Sequence, residues 1–297
     1  MDLWIPITLA AAFCQNLRSA LQKQLKGQLS TWGATASRFV FAAPLAVLFT
    51  FGLMQARGDA LPGIPGLFYL YGALGGLCQI VATGLLIHLF SRANFSAATA
   101  FTKTEPVQTA LFGIILLGDH LSPLMALAIM ISLSGVMMIS IPKTATSKWK
   151  PDSALWIGIL SGGLFGLSAV AFRGASLSLS DGDALLRASI TVSYVTIFQA
   201  GAIVFWMWLR EPGQITKLFK AWRMTGLVGL VGLMGSLAWV TAFTLQNAAY
   251  VRALGQIDIV FTLAASLLVF KETLTAREIT GVLLVTLGVV VLVLAAG

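Results

Sequence analysis

Long apolar runs separated by short polar segments recur along the whole chain, and their spacing predicts ten spans near 3–22, 31–53, 66–89, 95–117, 122–141, 154–172, 185–209, 224–245, 251–270 and 278–296. Runs of about 20 apolar residues match the hydrocarbon thickness of a bilayer. In lipid a non-barrel chain satisfies its backbone groups only within helices, so the predicted fold class is an all-α integral membrane protein. The longest break, Pro142 to Ser153 (PKTATSKWKPDS), divides the spans five and five. The expected organisation is a first five-helix repeat over 1–141, a connecting loop over 142–153 and a second repeat over 154–297.

The two halves echo each other. Leu3-Trp4-Ile5 recurs as Leu155-Trp156-Ile157, Phe13 matches Phe165, and Arg38 in the second span answers to Arg187 in the seventh. Ser91 and Asn94 answer to Thr244 and Asn247. The run from Glu105 through GDHLSP to Gly135 aligns with Asp258, KETLTA and Gly288 at one unchanged offset, 258 − 105 = 153. A carboxylate inside span four is therefore mirrored by one inside span nine. Because each half holds an odd number of spans, the second copy enters the membrane from the opposite side, the inverted repeat of many secondary transporters.

Composition agrees. Of 297 residues 58% are hydrophobic and 10% charged, against about 45–50% and 25% in soluble domains. The N-terminal MDLWIPITLAAAF has no basic n-region and no small-residue cleavage site, so it reads as a retained first span and not a removable signal peptide. Cys14 and Cys78 both fall in spans and suggest neither a disulfide nor a metal motif. The net charge of +8 has a topological explanation, so nucleic acid is not an expected partner. Loops after odd-numbered spans carry twelve basic residues, Lys23, Lys26, Arg92, Lys143, Lys148, Lys150, Arg210, Lys217, Lys220, Arg223, Lys271 and Arg277; those after even-numbered spans carry Arg57, Arg173 and Arg252. The positive-inside rule puts the odd loops in the cytoplasm and both termini outside.

Taken together, the arginines of spans two and seven (Arg38, Arg187), the segments ending in LLGDHLSP and LVFKETLT, and the closing spans with Gly135-Val136-Met137 and Gly288-Val289-Val290 resemble the drug/metabolite transporter superfamily, specifically its EamA-type members. The motifs are weak singly and specific as an ordered set repeated twice. The resemblance covers essentially the whole chain. It implies ten transmembrane helices in two inverted repeats around a central cavity, spans five and ten as outer scaffold, and alternating access with export or uptake of small metabolites, often amino acids. It also implies a multi-pass protein of the cell membrane, here expected in a bacterial inner membrane. The chain departs from the family pattern at Asp119, where glutamate is usual, and in its acidic N-terminus and uncharged C-terminus. Family members share a scaffold and differ in cargo.

The polar residues within the spans are the candidate site. In FTKTEPVQTALF, Lys103 and Glu105 fall near the middle of span four, where each charge costs about 2.5–3.5 kcal/mol on insertion scales and faces a bundle interior or water. On an ideal helix residues two apart point to nearly opposite sides, so the two are not expected to share one narrow cavity. Pro106 has no amide hydrogen for the Thr102 carbonyl and is expected to kink the helix, aiming Glu105 at the cavity. The alternative is a buried ion pair serving packing and register. Gln256 and Asp258 are the counterparts in span nine. A carboxylate in low dielectric resists ionisation, so Glu105 and Asp258 are the proton-coupling candidates; alternatively Asp258 balances Arg252 or Arg187.

Span one contains Gln15, Arg18 and Gln22 at helical spacing, a polar stripe expected to look inward. Arg18 suits a substrate carboxylate bound by paired hydrogen bonds, or else snorkels towards the cytoplasmic end with Lys23. Arg38 and Arg187 read as helix anchors. Gln79 and Trp239 occupy helices that the resemblance makes cavity-forming, and Trp239 offers a face to an aromatic or cationic substrate, or serves as an interface anchor or packing residue. Glycines in GALGG, GGLFG and GLVGLVG read as close helix contacts.

With no HExxH, GxSxG or GxxxxGK[ST] and only two histidines, an enzyme or an ATP-driven pump has little support, and no catalytic residue, metal or cofactor is expected. A secondary active transporter, an exporter of amino acids or similar small metabolites that is a candidate for proton coupling, is the first reading. An importer of a charged nutrient or quaternary amine, using Glu105, Asp258 and Trp239, is the alternative. The expected partners are a small-molecule substrate, the bilayer and, in one arrangement, a second copy in a homodimer. The loop charges make the topology testable: a fluorescent reporter that matures only in the cytoplasm, fused after Gly297, should stay dark, and bright fluorescence would reverse the orientation.

Overall fold

In the computed structural model, residues 2–90, 102–140, 153–259 and 276–296 are described, and every regular element among them is helical. The first half supplies α1 (Trp4–Leu25), α2 (Thr31–Val40), α3 (Ala42–Arg57), α4 (Gly66–Leu89), α5 (Glu105–Leu117) and α6 (Pro123–Ser140). The second supplies α7 (Ser153–Ser178), α8 (Ala184–Arg210), α9 (Gln214–Lys220), α10 (Trp222–Leu245), α11 (Ala248–Gly255) and α12 (Ala276–Ala296). Among the described residues five segments, 31–57, 66–89, 156–178, 184–210 and 222–245, are long and apolar enough to cross a membrane, and shorter apolar helices cover 123–138 and 279–294. Ser30 caps α2 by accepting from the Gly33 amide at 3.0 Å, and Asp183 caps α8 by accepting from Leu186 at 2.8 Å. The Leu186 amide holds the Asp183 carboxyl below the ordinary carboxylate range, with the Arg57 guanidinium at 2.9 Å contributing in the same direction.

Span two passes from α2 to α3 with Phe41 between them still in helical conformation, and two further predicted spans are interrupted in their described parts. Span four has a 3-10 turn at Thr102–Thr104 before α5 begins at Glu105. Span nine runs through the eight residues of α11, after which Gln256 and Ile257 tighten onto Ala253 and Leu254 through i→i+3 bonds of 3.2 and 3.1 Å. The two breaks stand at equivalent repeat positions, each immediately before the mirrored carboxylate. Pro106 is accordingly not the mid-helix kink that the sequence suggests: it lies in the first turn of α5, where no amide hydrogen is required.

The packing carries the repeat into three dimensions. α1 lies on α10 as α4 lies on α7, α1 meets α11 as α7 meets α5, and the pairs α3–α8, α5–α11 and α6–α12 join equivalent elements of the two halves. The crossing of α6 and α12 is reciprocal to the residue. A methyl group built on Gly135 would lie 2.5 Å from the Gly281 carbonyl oxygen and 2.7 Å from the Val285 nitrogen. One on Gly288 would lie 2.8 Å from the Ala128 carbonyl oxygen and 2.7 Å from the Ser132 nitrogen. Residues 128 and 132 are themselves the repeat equivalents of 281 and 285. The GGLFG glycines of α7 do the same against the break, Gly162 facing the Thr102 carbonyl and Gly166 facing Thr109 and the Glu105 carbonyl. Helices without a hydrophobic drive to associate gain contact through such small residues.

Two loop assignments need correction. Arg252 is not in a loop: it lies in α11, 6% exposed. Arg173 lies in α7, where it donates to the Phe243 and Gln246 carbonyls at 2.5 and 2.7 Å and faces Asp119 at 3.8 Å. Both are basic side chains matched inside the bundle, so the loops after even-numbered spans retain only Arg57. Ser91, Asn94, Lys271 to Thr275, and the basic residues Arg92, Lys143, Lys148 and Lys150 lie outside the described residues, as does the connecting segment 141–152.

Because Gly135 and Gly288 meet backbone and not flexible side chains, alanine at either should lower the melting temperature in detergent by the equivalent of about 1–3 kcal/mol. Gly201→Ala, where nothing lies within 4 Å, is the control. Equal melting of all three variants would remove the crossing from the account of stability.

Candidate functional site

The two interrupted helices meet end to end, and their charges are exchanged between them. Arg252, in the last turn of α11, lies with Nε 2.8 Å from Oε1 of Glu105, in the first turn of α5. A carboxylate at a helix N-terminus and a cation at a C-terminus both suit the local helix dipole. Lys103, in the 3-10 turn, pairs with Asp258, just beyond the break in span nine. Gln256 fastens the crossing: its Nε2 donates to the Lys103 carbonyl at 2.9 Å, and its Oε1 accepts from Ser132 on α6 at 3.1 Å. Asn16 of α1 donates to the Asp258 carbonyl at 3.3 Å. Each broken helix thus supplies one cation and one carboxylate to the other.

Trp239 of α10 forms the floor. Its ring stacks on Phe243 at 5.7 Å, and the Arg252 guanidinium lies 4.4 Å above the indole and 5.1 Å from the Phe243 ring. This packing also explains Gly255 at the end of α11, since a methyl group there would stand 2.4 Å from the indole edge. Among the described residues three cavities that share lining residues surround the group, and Gln15 lines each of them. The first is bounded by Arg38, Gln79, Gln199, Trp239 and Arg252; the second by Lys103, Glu105, Gln256 and Asp258; the third by Arg18, Asn16, Lys103, Glu105 and Asp258. All eight candidates from the sequence, Gln15, Arg18, Gln79, Lys103, Glu105, Trp239, Gln256 and Asp258, therefore fall around one connected region.

Several details differ from expectation. Lys103 and Glu105 do share a cavity, because the 3-10 turn advances about 120° per residue and does not place them on opposite sides as a continuous α-helix would. They do not form an ion pair with each other: Lys103 pairs with Asp258 and Arg252 with Glu105. Arg18 is 3% exposed and faces the third cavity, so it does not snorkel. Gln22, on the same predicted stripe, turns instead to α2 and donates to the Ala34 carbonyl at 2.9 Å. Trp239 is buried and is no interface anchor.

Arg38 and Arg187 part company: Arg187 binds the Gly182 carbonyl at 2.8 Å near the start of α8, whereas Arg38 is 3% exposed, faces the first cavity and donates to Thr83 at 3.2 Å. Arg38 and Arg252 are the site residues missed from sequence. The signal for Arg38 was an arginine deep in a span that holds no acidic residue; for Arg252 it was a position already inside span nine.

A family model described as the EamA-like transporter family matches residues 2–141 and 153–294, one match in each half. Among solved structures 28 chains match. One, a crystal structure, is 15% identical, with 99% of this chain and 97% of that chain covered and a TM-score of 0.73. That likeness shows a shared fold. No curated protein matches.

Breaking a buried pair strands a charge, at about 3–5 kcal/mol. Glu105→Gln and Arg252→Gln should each reduce the yield of folded protein, and the double variant should recover most of it. Strictly additive losses in a double-mutant cycle would show that the two side chains do not act as a pair.

Proposed function

The chain belongs to the EamA-like transporter family, and from that premise we propose that it is a secondary active transporter of small carboxylate-bearing metabolites, amino acids included, built of ten spans in two inverted repeats. The observation that carries the reading is the convergence of Arg18, Arg38 and Arg252 on cavities beside two interrupted helices. Guanidinium holds a carboxylate through paired hydrogen bonds. Interrupted helices at the midplane place backbone groups and helix ends at a substrate in the manner of many secondary transporters.

Alternating access then amounts to rocking of the two repeats about the crossed pairs, and the direction, export in the reading favoured here, follows from the gradients imposed. A proton on Glu105 would release its hold on Arg252 and free that guanidinium for substrate, which supplies a route to proton coupling. The cation-importer alternative has less support. Arg252 already covers the face of Trp239, and both carboxylates already hold basic side chains.

Purified protein in proteoliposomes should show saturable counterflow of at least one labelled carboxylate. An imposed proton gradient should drive net movement of that label against its own gradient, which Glu105→Gln should abolish while leaving exchange. Absence of saturable flux for anionic, zwitterionic and cationic solutes alike would refute transport; gradient-driven net movement by well-folded Glu105→Gln would refute coupling through this residue.

A further inference from the structure

The charges around the cavities do not balance. Among the described residues four basic side chains line them, Arg18, Arg38, Lys103 and Arg252, against two carboxylates, Glu105 and Asp258. The two carboxylates are committed to Arg252 and Lys103. Arg18 and Arg38 are left, and among the described residues neither forms an ion pair with a carboxylate. Both are 3% exposed, and the Nε of each is buried with no hydrogen-bond partner. They are also neighbours: a methyl group built on Gly232 of α10 would lie 3.3 Å from Arg38 Cγ and 3.7 Å from Arg18 Cδ, so both stems pass over the same glycine.

Two adjacent guanidinium groups in low dielectric, without a countercharge, repel each other and have lost their hydration. The rest of the described polar lining, amides such as Gln15, Gln79 and Gln199 and hydroxyls such as Thr191 and Ser236, brings no negative charge. A ligand that completes this site must therefore bring the missing charge itself.

We propose, resting on the transport reading above, that the substrate is a small organic dianion of the dicarboxylate class, held with one carboxylate at Arg38 and the other at Arg18. A zwitterion fits less well. Its carboxylate finds an arginine, but its ammonium enters a region where both acidic partners are occupied and four cations repel it. A monoanion leaves one guanidinium uncompensated. The surplus of two charges, 4 − 2, selects for a ligand carrying two negative charges.

The test is a comparison of labelled succinate, butyrate, leucine and choline in counterflow by the full-length protein in proteoliposomes. Succinate should have the lowest half-saturation concentration. Arg18→Gln and Arg38→Gln should each raise it roughly 10- to 100-fold, the loss of a charge-assisted hydrogen-bonded contact. The double variant, with charges matched two against two, should no longer prefer succinate to leucine. Wild-type selectivity decides the matter even if a variant fails to fold. Leucine or choline exchanging at a lower half-saturation concentration than succinate overturns the dianion assignment and leaves transport standing. No exchange of any of the four labels overturns both.

Discussion

The crossed ion pairs between the two interrupted helices are the constraint from which the centre of this protein follows. A lone charge in the interior of a membrane protein is costly, and each of these four forms an ion pair with a residue of the other repeat. Moving Lys103 breaks its pair with Asp258, and moving Glu105 breaks its pair with Arg252. The breaks in helical geometry are what permit this. They bring Lys103 and Glu105 to the lining of one cavity and end α11 where Gln256 can reach the Lys103 carbonyl. Close packing of Gly255 on Trp239 and of Gly162 on Thr102 then fixes the two breaks against their neighbours.

Scaffold and site obey different symmetry. At the crossing of α6 and α12, glycine meets the same two equivalent positions in each direction, as a shared pseudo-two-fold axis demands. Around the cavities that equivalence dissolves. Lys103 is matched in sequence by Gln256, and Arg38, deep in the bundle, by Arg187 near the start of its helix. On the transport reading proposed above, symmetric packing suits two repeats that exchange roles in a rocking motion, and asymmetric side chains suit a site that distinguishes the two ends of a small molecule. Both features coexist because packing is set by glycine and small residues along helix faces, whereas recognition needs only a few polar positions.

The ends of the bundle are held by different means. Arg173 ties α7 to the end of α10 and to Asp119, and Arg57 pairs with the Asp183 cap of α8. At the opposite end Glu211 accepts from Ser30, and Gln214 of α9 accepts from the Ser30 amide at 3.2 Å. These contacts join the repeats to each other at both ends, so a motion that opens one end must break a specific, small set of polar contacts.

The amino-acid pattern by itself determined the helical membrane class and the presence of two copies, because these depend on run lengths and one constant offset; the opposite orientation of the copies is what an odd number of runs per half implies. It also picked out the polar residues of the centre, since a charge within an apolar run has few places to go. It did not determine their partners. Assigning Lys103 and Glu105 to opposite faces, and Pro106 to a kink, assumed a continuous α-helix; the 3-10 turn at Thr102–Thr104 is stabilised by contacts with α7 that no local window contains. Arg252 looked like a loop residue and Arg38 like an anchor because burial is a property of the assembled bundle. Which cation meets which carboxylate, and which arginines are left over, was decided only when residues about 150 positions apart were brought within reach of one another.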